Sequence, residues 1–382
     1  MYRIVFLGGE DVSARIDISN ELIKKGCHIE ILGSESPVSF VGSCIKYQQF
    51  YLNREFDILG DIKSLLQIRK ILKNYNIETV VHAFDTKLTI MLPIAAIGLS
   101  NIKVVRTING MGRVFTTSNL KNMILRFVYK CIQKSLKSIV DYTIFQNTDN
   151  YNYFLKNNLV TKAKSTVIRG SGINLKEYSV TIEDEVKAAL VSTYVKNTSL
   201  PTFILVSRLI KQKGISNYLQ AAKLCHDDGY KFNFLLVGQI DSNDDATSLE
   251  EINSYKKYVQ YLGERSNIKE ILAISDVFVL PTYYSEGVPR VLLEASAMSL
   301  AILTTNMPGC NDVLRDEFNG KIIKVNNSLD VFEKMKYVVR DVNTLNTFKN
   351  NAFSHVHDFS LVKVTSEYFN IYKKVASLNS KR

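Results

Sequence analysis

The segment Val277-Phe278-Val279-Leu280-Pro281, followed two residues later by Tyr284-Ser285-Glu286-Gly287-Val288-Pro289-Arg290-Val291-Leu292-Leu293-Glu294-Ala295-Ser296-Ala297-Met298, decides how this chain folds. Its first part is an unbroken apolar run closed by a proline, the pattern of a strand buried on both faces. Its second part passes through a loop into a helix-like run, Leu292–Met298. Glu286 and Glu294 lie about two helical turns apart, so the spacing places both carboxylates on one side of the helix. Glu286 stands where loop meets helix, and the free backbone N–H groups of Gly287 and Val288 make a positive, phosphate-ready pocket there. A ligand that joins anionic phosphates to several hydroxyls suits this pattern, and a nucleotide sugar is such a ligand. An ordinary surface helix gives the same two glutamates, because the helix dipole favours an acid near its start in any case.

Outward from this segment, strand and helix patterns alternate to both ends, which predicts α/β architecture with parallel sheets. In the first half Arg3–Leu7, Ile29–Leu32, Thr79–His82, Val104–Thr107, Tyr142–Gln146 and Ser165–Ile168 read as strands. Ser13–Lys25, stopped by Gly26, and the amphipathic Lys63–Tyr75 read as helices. The pattern pauses over the polar stretch Asn174–Ser199, which holds a short helix at Glu183–Leu190. A second α/β unit opens at Phe203–Ser207, with a helix over Ile215–Asp227 and strands at Phe234–Val237, Val277–Leu280 and Ala301–Thr304. Leu361–Ala376 reads as one or two closing helices. The expected division is a Rossmann-like domain over 1–178, a second over 179–358 and a helical tail over 359–382. Two such halves in tandem leave a cleft between the carboxyl ends of their strands as the default ligand site.

The length of 382 residues predicts two domains, and 46% hydrophobic with 22% charged residues is globular. A net charge of +11 favours an anionic partner: nucleic acid, nucleotide phosphates or an anionic membrane face. No nucleic-acid module is recognisable, so nucleic acid rests on charge alone and is not an expected partner. Five cysteines (Cys27, Cys44, Cys131, Cys225, Cys310) are scattered without a C-x-x-C pair, which fits a reducing compartment and argues against a disulfide framework or a zinc site. Met1–Gly9 reads as a strand entering a turn, too short for a signal peptide. The longest apolar run, near Met91–Leu99, contains Pro93 and falls far short of the ~20 residues that span a bilayer. A soluble cytoplasmic chain, at most peripheral to a membrane, is the expectation.

Tyr284–Met298, followed by Pro308-Gly309-Cys310-Asn311-Asp312, closely resembles the donor-site signature of retaining GT-B glycosyltransferases. More narrowly it is similar to the GT4 family that builds bacterial surface glycans, O-antigen and capsule among them. The resemblance covers nearly the whole chain and is strongest over Thr202–Gly320. It implies two Rossmann-like domains facing across a cleft, with a C-terminal helix crossing back to the N-terminal domain. It also implies transfer from a nucleotide sugar, UDP-linked by preference, to a polyprenyl-diphosphate-linked glycan, with front-side departure of UDP and no protein nucleophile.

The site residues follow from the same resemblance. In Ser207-Arg208-Leu209-Ile210-Lys211-Gln212-Lys213-Gly214, Arg208 and Lys213 would grip the donor diphosphate, the one as a fork and the other as a point charge. Read without the family, this is a solvated basic loop. Glu286 would hold hydroxyls of the donor sugar, Glu294 those of the ribose, and Gly287 and Val288 would give amides to the phosphate. Gly238 and Glu264-Arg265 fall on loops that line the nucleotide. His82, which on its own reads more often as a structural histidine, and Lys87 match the place where the family presents a His and then a Lys. Thr107-Ile108-Asn109-Gly110-Met111-Gly112-Arg113-Val114-Phe115 resembles the Gly-rich loop of GT4 enzymes that act on lipid-linked sugars. That puts Asn109, Gly110 and Gly112 on the acceptor side, with Gly8, Gly9 and Arg15 in comparable positions. Glu286, Arg208, Lys213 and His82 are the expected catalytic set. Ile168–Asn174 looks like the hinge-side Gly-Ser-Gly motif with Asn where Asp is usual, Ser299-Leu300-Ala301 replaces the usual Gly-x-Pro, and Asn311 stands where Arg is frequent.

Asn119–Ile139 has an apolar stripe at helical spacing (Leu120, Met123, Ile124, Phe127, Val128, Cys131, Ile132, Leu136, Ile139) with Lys121, Arg126, Lys130, Lys134 and Lys137 away from it. Such a stripe packs on a sheet or meets the anionic inner face of a membrane, where each basic residue near the surface is worth about 1 kcal/mol. Asp241-Ser242-Asn243-Asp244-Asp245 is a solvated loop after a strand rather than a metal site, and metal-independent chemistry is expected. Two other readings remain: a GT-B-shaped UDP-sugar epimerase that needs no acceptor, and a nucleotide-sugar-binding protein without turnover. A dinucleotide oxidoreductase is disfavoured, because no G-x-G-x-x-G follows Arg3–Leu7.

Overall fold

The computed structural model describes residues 2–53, 57–111, 115, 120–179, 182–241, 245–285 and 287–377. The chain divides into two compact units, Met1–Gly172 with Leu361–Arg382, and Ile173–Ser360. The first holds seven strands: β1 (Tyr2–Leu7), β2 (Cys27–Gly33), β3 (Lys46–Gln49), β4 (Thr79–Ala83), β5 (Ile102–Ile108), β6 (Tyr142–Phe145) and β7 (Ser165–Val167). All pair in parallel, in the order β3-β2-β1-β4-β5-β6-β7. The second holds β8 (Thr202–Val206), β9 (Asn233–Val237), β10 (Gln260–Tyr261), β11 (Val277–Leu280), β12 (Ala301–Thr305) and β13 (Gly320–Ile323), also parallel, in the order β10-β9-β8-β11-β12-β13. Each order reverses direction once, beside β1 and beside β8. Each unit is therefore a doubly wound sheet whose ligand edge is the carboxyl end of its strands.

The alternation of side chains along β1 builds the two layers of the first unit. Ile4 and Phe6 face one core, with the helix Ile16–Lys24 and the closing helix Leu361–Ala376. Val5 and Leu7 face the other, with the helices Ile58–Lys73 and Leu88–Ala95. In the second unit Phe203 and Leu205 separate from Ile204 and Val206 in the same way. The strands that periodicity misses are β3, β10 and β13. β3 is a polar edge strand, Lys46-Tyr47-Gln48-Gln49, with little apolar surface to reveal it. β10 has only two residues.

The first unit ends earlier than the expected 178. Ile173 donates its N–H to the Phe359 carbonyl at 3.0 Å and bridges to Ser360, so entry to and exit from the second unit lie side by side. The helix Leu175–Ser179 therefore belongs to the second unit. The closing helix Leu361–Ala376 returns to the first, where Val364, Tyr368, Ile371, Tyr372 and Val375 are buried at helical spacing. Each such side chain contributes on the order of 2 kcal/mol.

The helix Leu120–Leu136 departs from the packed arrangement. Of its apolar stripe only Leu136 is buried, while Leu120, Met123, Ile124, Phe127 and Val128 are exposed, Phe127 at 65%. No helix among the described residues is long and apolar enough to cross a membrane.

The contact between closing helix and sheet is polar at one point: the Tyr372 hydroxyl lies 2.7 Å from Nδ1 of the buried His82. Tyr372→Phe leaves that nitrogen unpaired and is expected to cost about 1–3 kcal/mol, read as a lower urea midpoint with an unchanged slope. An unchanged midpoint would mean that the bond holds nothing in place.

Candidate functional site

In the second unit the loops after β8, β9, β10, β11 and β12 all leave the same sheet edge and touch one another through backbone. Gly238 ends β9 at φ +146°, and a Cβ there would lie 1.7 Å from the Ser207 carbonyl oxygen. Gly309, at φ +84°, comes so close to the loop before the helix Arg290–Ala297 that a Cβ would lie 2.0 Å from the Gly287 carbonyl. Only glycine fits such approaches. Hydrogen bonds complete the lattice: Tyr283 N–H to the Gln212 carbonyl (2.9 Å), Thr282 Oγ1 to the same carbonyl (3.0 Å), Thr305 Oγ1 to the Thr282 carbonyl (2.6 Å) and the Tyr261 hydroxyl to the Gly238 carbonyl (2.9 Å).

On this frame Arg208 and Lys213 differ. Arg208 is exposed, and its Nη1 donates to Asp241 Oδ2 at 3.2 Å. Asp241 is thus an ion-pair partner rather than a purely solvated loop residue. Lys213 is buried, with its Nζ 5.9 Å from the centre of the Tyr284 ring. Arg265 is exposed, its guanidinium 5.8 Å from the centre of the Tyr194 ring. Glu286 and Gly112 lie outside the described residues.

The helix starts at Arg290 with Pro289 as its cap, which corrects one expectation. Glu294 lies on this helix, in its second turn. Gly287 and Val288, both buried, precede the cap, so the first-turn N–H groups belong to later residues. Glu294 accepts from Arg290 Nε at 3.0 Å across one helical turn. It also meets the Tyr178 hydroxyl, whose pKa rises through burial and then through the Glu294 charge. The Arg290–Glu294 spacing was readable as an i,i+4 pair. Tyr178, from a distant helix, left no local signal.

In the first unit the acceptor-side residues gather on the segment after β4. Gly8 donates its N–H to the Leu32 carbonyl at 3.0 Å, and Gly9 donates to the Asp85 carboxylate. Arg15 stacks on the Phe84 ring, 4.4 Å from its centre. Asn109 donates to the Phe84 carbonyl at 3.1 Å, and its buried Oδ1 has no partner among the described residues; Gly110 follows beside it. Lys87 stands apart, its Nζ held by Asp61 at 2.8 Å and by the Asn53 carbonyl at 2.9 Å.

His82 does not reach this edge. It is fully buried, with Nδ1 against Tyr372 and Nε2 2.7 Å from Thr107 Oγ1. Burial, aided by the Arg15 charge, holds its pKa well below 6.5, so the ring is neutral. Both ring nitrogens of this neutral imidazole are thus engaged within the first unit, between the closing helix and β5. Among the described residues no three His, Cys, Asp or Glu side chains converge as metal ligands.

Residues 187–355 match the family model of glycosyl transferases group 1. Over 318 residues the chain is 29% identical to an N,N'-diacetylbacillosaminyl-diphospho-undecaprenol alpha-1,3-N-acetylgalactosaminyltransferase of Campylobacter jejuni, covering 82% of this chain and 81% of that protein. It is 28% identical over 326 residues to a UDP-Gal:alpha-D-GlcNAc-diphosphoundecaprenol alpha-1,3-galactosyltransferase of Escherichia coli, covering 84% and 81%. The crystal structure of HepE from Anabaena with UDP and glucose superposes with a TM-score of 0.78 at 15% identity, over 98% of this chain and 100% of that one. The last likeness concerns the fold alone.

Glu294→Gln keeps the shape but weakens acceptance from Arg290, Tyr178 and any ligand hydroxyl. UDP affinity is expected to fall about tenfold or more, at roughly 1.5–3 kcal/mol for hydrogen bonds to a charged group. Titration calorimetry with UDP checks this, and unaltered affinity removes Glu294 from the nucleotide site.

Proposed function

We propose that this chain, which matches the glycosyl transferases group 1 model over residues 187–355 and shares the fold of HepE, is a glycosyltransferase that moves one sugar, with retention, from a UDP-sugar to a polyprenyl-diphosphate-linked glycan in O-antigen or capsule assembly. The observation that carries the reading is the interlocked carboxyl edge of the second unit, which holds Arg208 and Lys213 on the loop after β8 and Glu294 on the helix that follows the β11 loop. Support for the acceptor class comes from the similar Campylobacter and Escherichia transferases, whose names specify diphospho-undecaprenol-linked sugars. Support for the donor class comes from the latter's UDP-galactose and from UDP bound to HepE.

On this reading the second unit binds the donor and the first unit the acceptor. Glu294, steadied by Arg290 and Tyr178, accepts from the ribose hydroxyls. Arg208 turns from Asp241 to the diphosphate, an exchange one carboxylate for another anion. Lys213 adds a nearly desolvated charge, stronger than a solvated one. Glu286 orients the donor sugar. As the glycosidic bond lengthens, negative charge grows on the departing UDP and positive charge on the anomeric carbon. Arg208 and Lys213 stabilise the first, and no metal is required. The acceptor hydroxyl enters on the face that UDP leaves, and its proton passes to the departing phosphate. Positioning and leaving-group stabilisation then account for catalysis.

A membrane surface is the natural setting for a lipid-linked acceptor. The helices Ile58–Lys73, Leu88–Ala95 and Leu120–Leu136 pack side by side on one face of the first unit. Its outer helices expose Leu59, Ile62 and Leu66 on one side and Met123, Ile124 and Phe127 on the other, with Lys63, Lys70, Arg126 and Lys130 among them. An apolar and basic face of this kind suits peripheral attachment to the anionic cytoplasmic leaflet.

UDP release by the purified protein, measured over UDP- and GDP-sugars with and without a polyprenyl-diphosphate-linked sugar, is expected to require one UDP-sugar and the lipid-linked acceptor. Arg208→Ala and Glu286→Ala are each expected to lower turnover about 10²–10³-fold with the fold intact. Near-normal turnover in either variant sinks the assignment, and epimer formation without acceptor replaces it by an epimerase. Ile124→Asp with Phe127→Asp is expected to abolish sedimentation with phosphatidylglycerol vesicles while transfer to a short-chain soluble acceptor persists. Undiminished sedimentation excludes the Leu120–Leu136 helix from the membrane contact.

A further inference from the structure

The first unit carries a cavity remote from its carboxyl edge. It lies beside the amino-terminal ends of β6 and β7, holds about 440 Å³ and is lined by Arg106, Lys134, Lys137 and Lys164, with Val140 and Leu159 as apolar walls. No carboxylate is among its lining residues. The volume is in the range of small-molecule sites.

Arg106 makes this cavity unlike a solvated basic patch. It is fully buried on β5, donating from Nε to Thr143 Oγ1 (3.2 Å) and from Nη1 to Gln133 Oε1 (2.6 Å), and its Nη2 has no hydrogen-bond partner among the described residues. Burial lowers its pKa to about 10, which leaves it cationic at neutral pH. Both of its partners are neutral, whereas buried arginines are ordinarily paired with an anion. Lys137 is fixed as well: its Nζ donates to the Asn158 carbonyl (3.1 Å) and Oδ1 (2.6 Å). Asn158 presents both acceptors from φ +55°, just past the helix Thr148–Lys156. Two of the four cations are therefore held in place by the fold, one of them without a counter-charge.

We propose that this cavity binds a phosphate group. Four cations with no acid among them match a multiply charged anion better than a carboxylate, and a phosphate carries up to two charges and three acceptor oxygens. The three lysines contact it, and the Arg106 charge acts across the low-dielectric wall. The apolar walls take the carbon part of the ligand. Two sources supply this chemistry, a soluble phosphorylated metabolite and a phospholipid headgroup. The second is open because Lys134 sits on the same helix as the exposed Met123, Ile124 and Phe127.

Thermal unfolding in saturating UDP, which keeps diphosphates out of the donor site, tests the assignment. Inorganic phosphate, pyrophosphate and dihexanoyl phosphatidylglycerol are titrated at ionic strength matched with sodium chloride. At least one is expected to raise the midpoint saturably in the native protein, and the rise is expected to vanish in Lys134→Gln/Lys137→Gln/Lys164→Gln. The midpoint shift caused by UDP itself persists in that variant and certifies its fold. A response to phosphate or pyrophosphate assigns a soluble ligand, and a response to the phospholipid alone assigns a headgroup. No rise with any probe in the native protein, or an equal rise in the triple variant, overturns the proposal. Absence of the UDP shift in both proteins speaks against the donor reading instead.

Discussion

The donor edge of the second unit depends on backbone touching backbone. Gly238 meets the Ser207 carbonyl and Gly309 meets that of Gly287 at distances that leave no space for a side-chain carbon. Loops that approach so closely cannot move independently: displacing the turn after β9 pushes the Arg208 loop, and displacing Gly309 pushes the loop before the Arg290–Ala297 helix. Rigidity of this kind is what the proposed donor site requires, since an exposed arginine, a buried lysine and a half-buried glutamate can act on one ligand only if the cost of orienting them is met during folding. The sheet supplies the rest. Parallel strands joined by right-handed crossovers bring every βα loop to one edge whatever the loop sequences are.

The first unit uses a different device. Its edge is organised around Phe84 and Asp85, which engage Gly9, Arg15 and Asn109. Beneath it His82 links Thr107, at the end of β5, to Tyr372 on the closing helix. Removing a charge-capable ring from solvent fixes it as neutral and commits both nitrogens to structure. The closing helix thereby bears on the geometry of the acceptor-side loops without reaching them.

The fold was legible because most strands of both sheets are apolar throughout, as parallel strands between two helical layers must be. The Arg3–Leu7, Thr79–His82, Phe203–Ser207 and Val277–Leu280 runs appear in place, while β3 and β10 escaped for want of apolar residues or length. The common placement of Arg208 and Lys213 was legible because one loop carries both. Partners from elsewhere in the chain, such as Tyr178 on Glu294, Asp241 on Arg208 and Asp61 on Lys87, were not, because chain-distant contacts leave no spacing to read. His82 shows the converse: a strand-end histidine looks alike in sequence whether it faces a ligand or the core. Ser299, where the family favours glycine, adopts φ +59°, so the turn survives the substitution at a modest conformational cost.

The helix Leu120–Leu136 carries the tension between packing and function furthest. A helix that, among the described residues, buries only Gln133 and Leu136 while exposing six large apolar side chains gains little from the core. Exposed apolar patches of this kind mark interaction surfaces rather than serve stability. The helix begins downstream of Asn109 and Gly110, and its neighbour Leu88–Ala95 begins after Lys87, so both follow segments that the proposed reading gives to the acceptor. On the proposed reading, a substrate with a sugar at one end and a long hydrocarbon at the other would be shared between loop and helix: the loop would meet the hydroxyls, and the exposed helix face would hold the unit at the surface where the lipid is confined. Confinement to a surface raises the local concentration of acceptor, and the affinity then required of the loops themselves is correspondingly small.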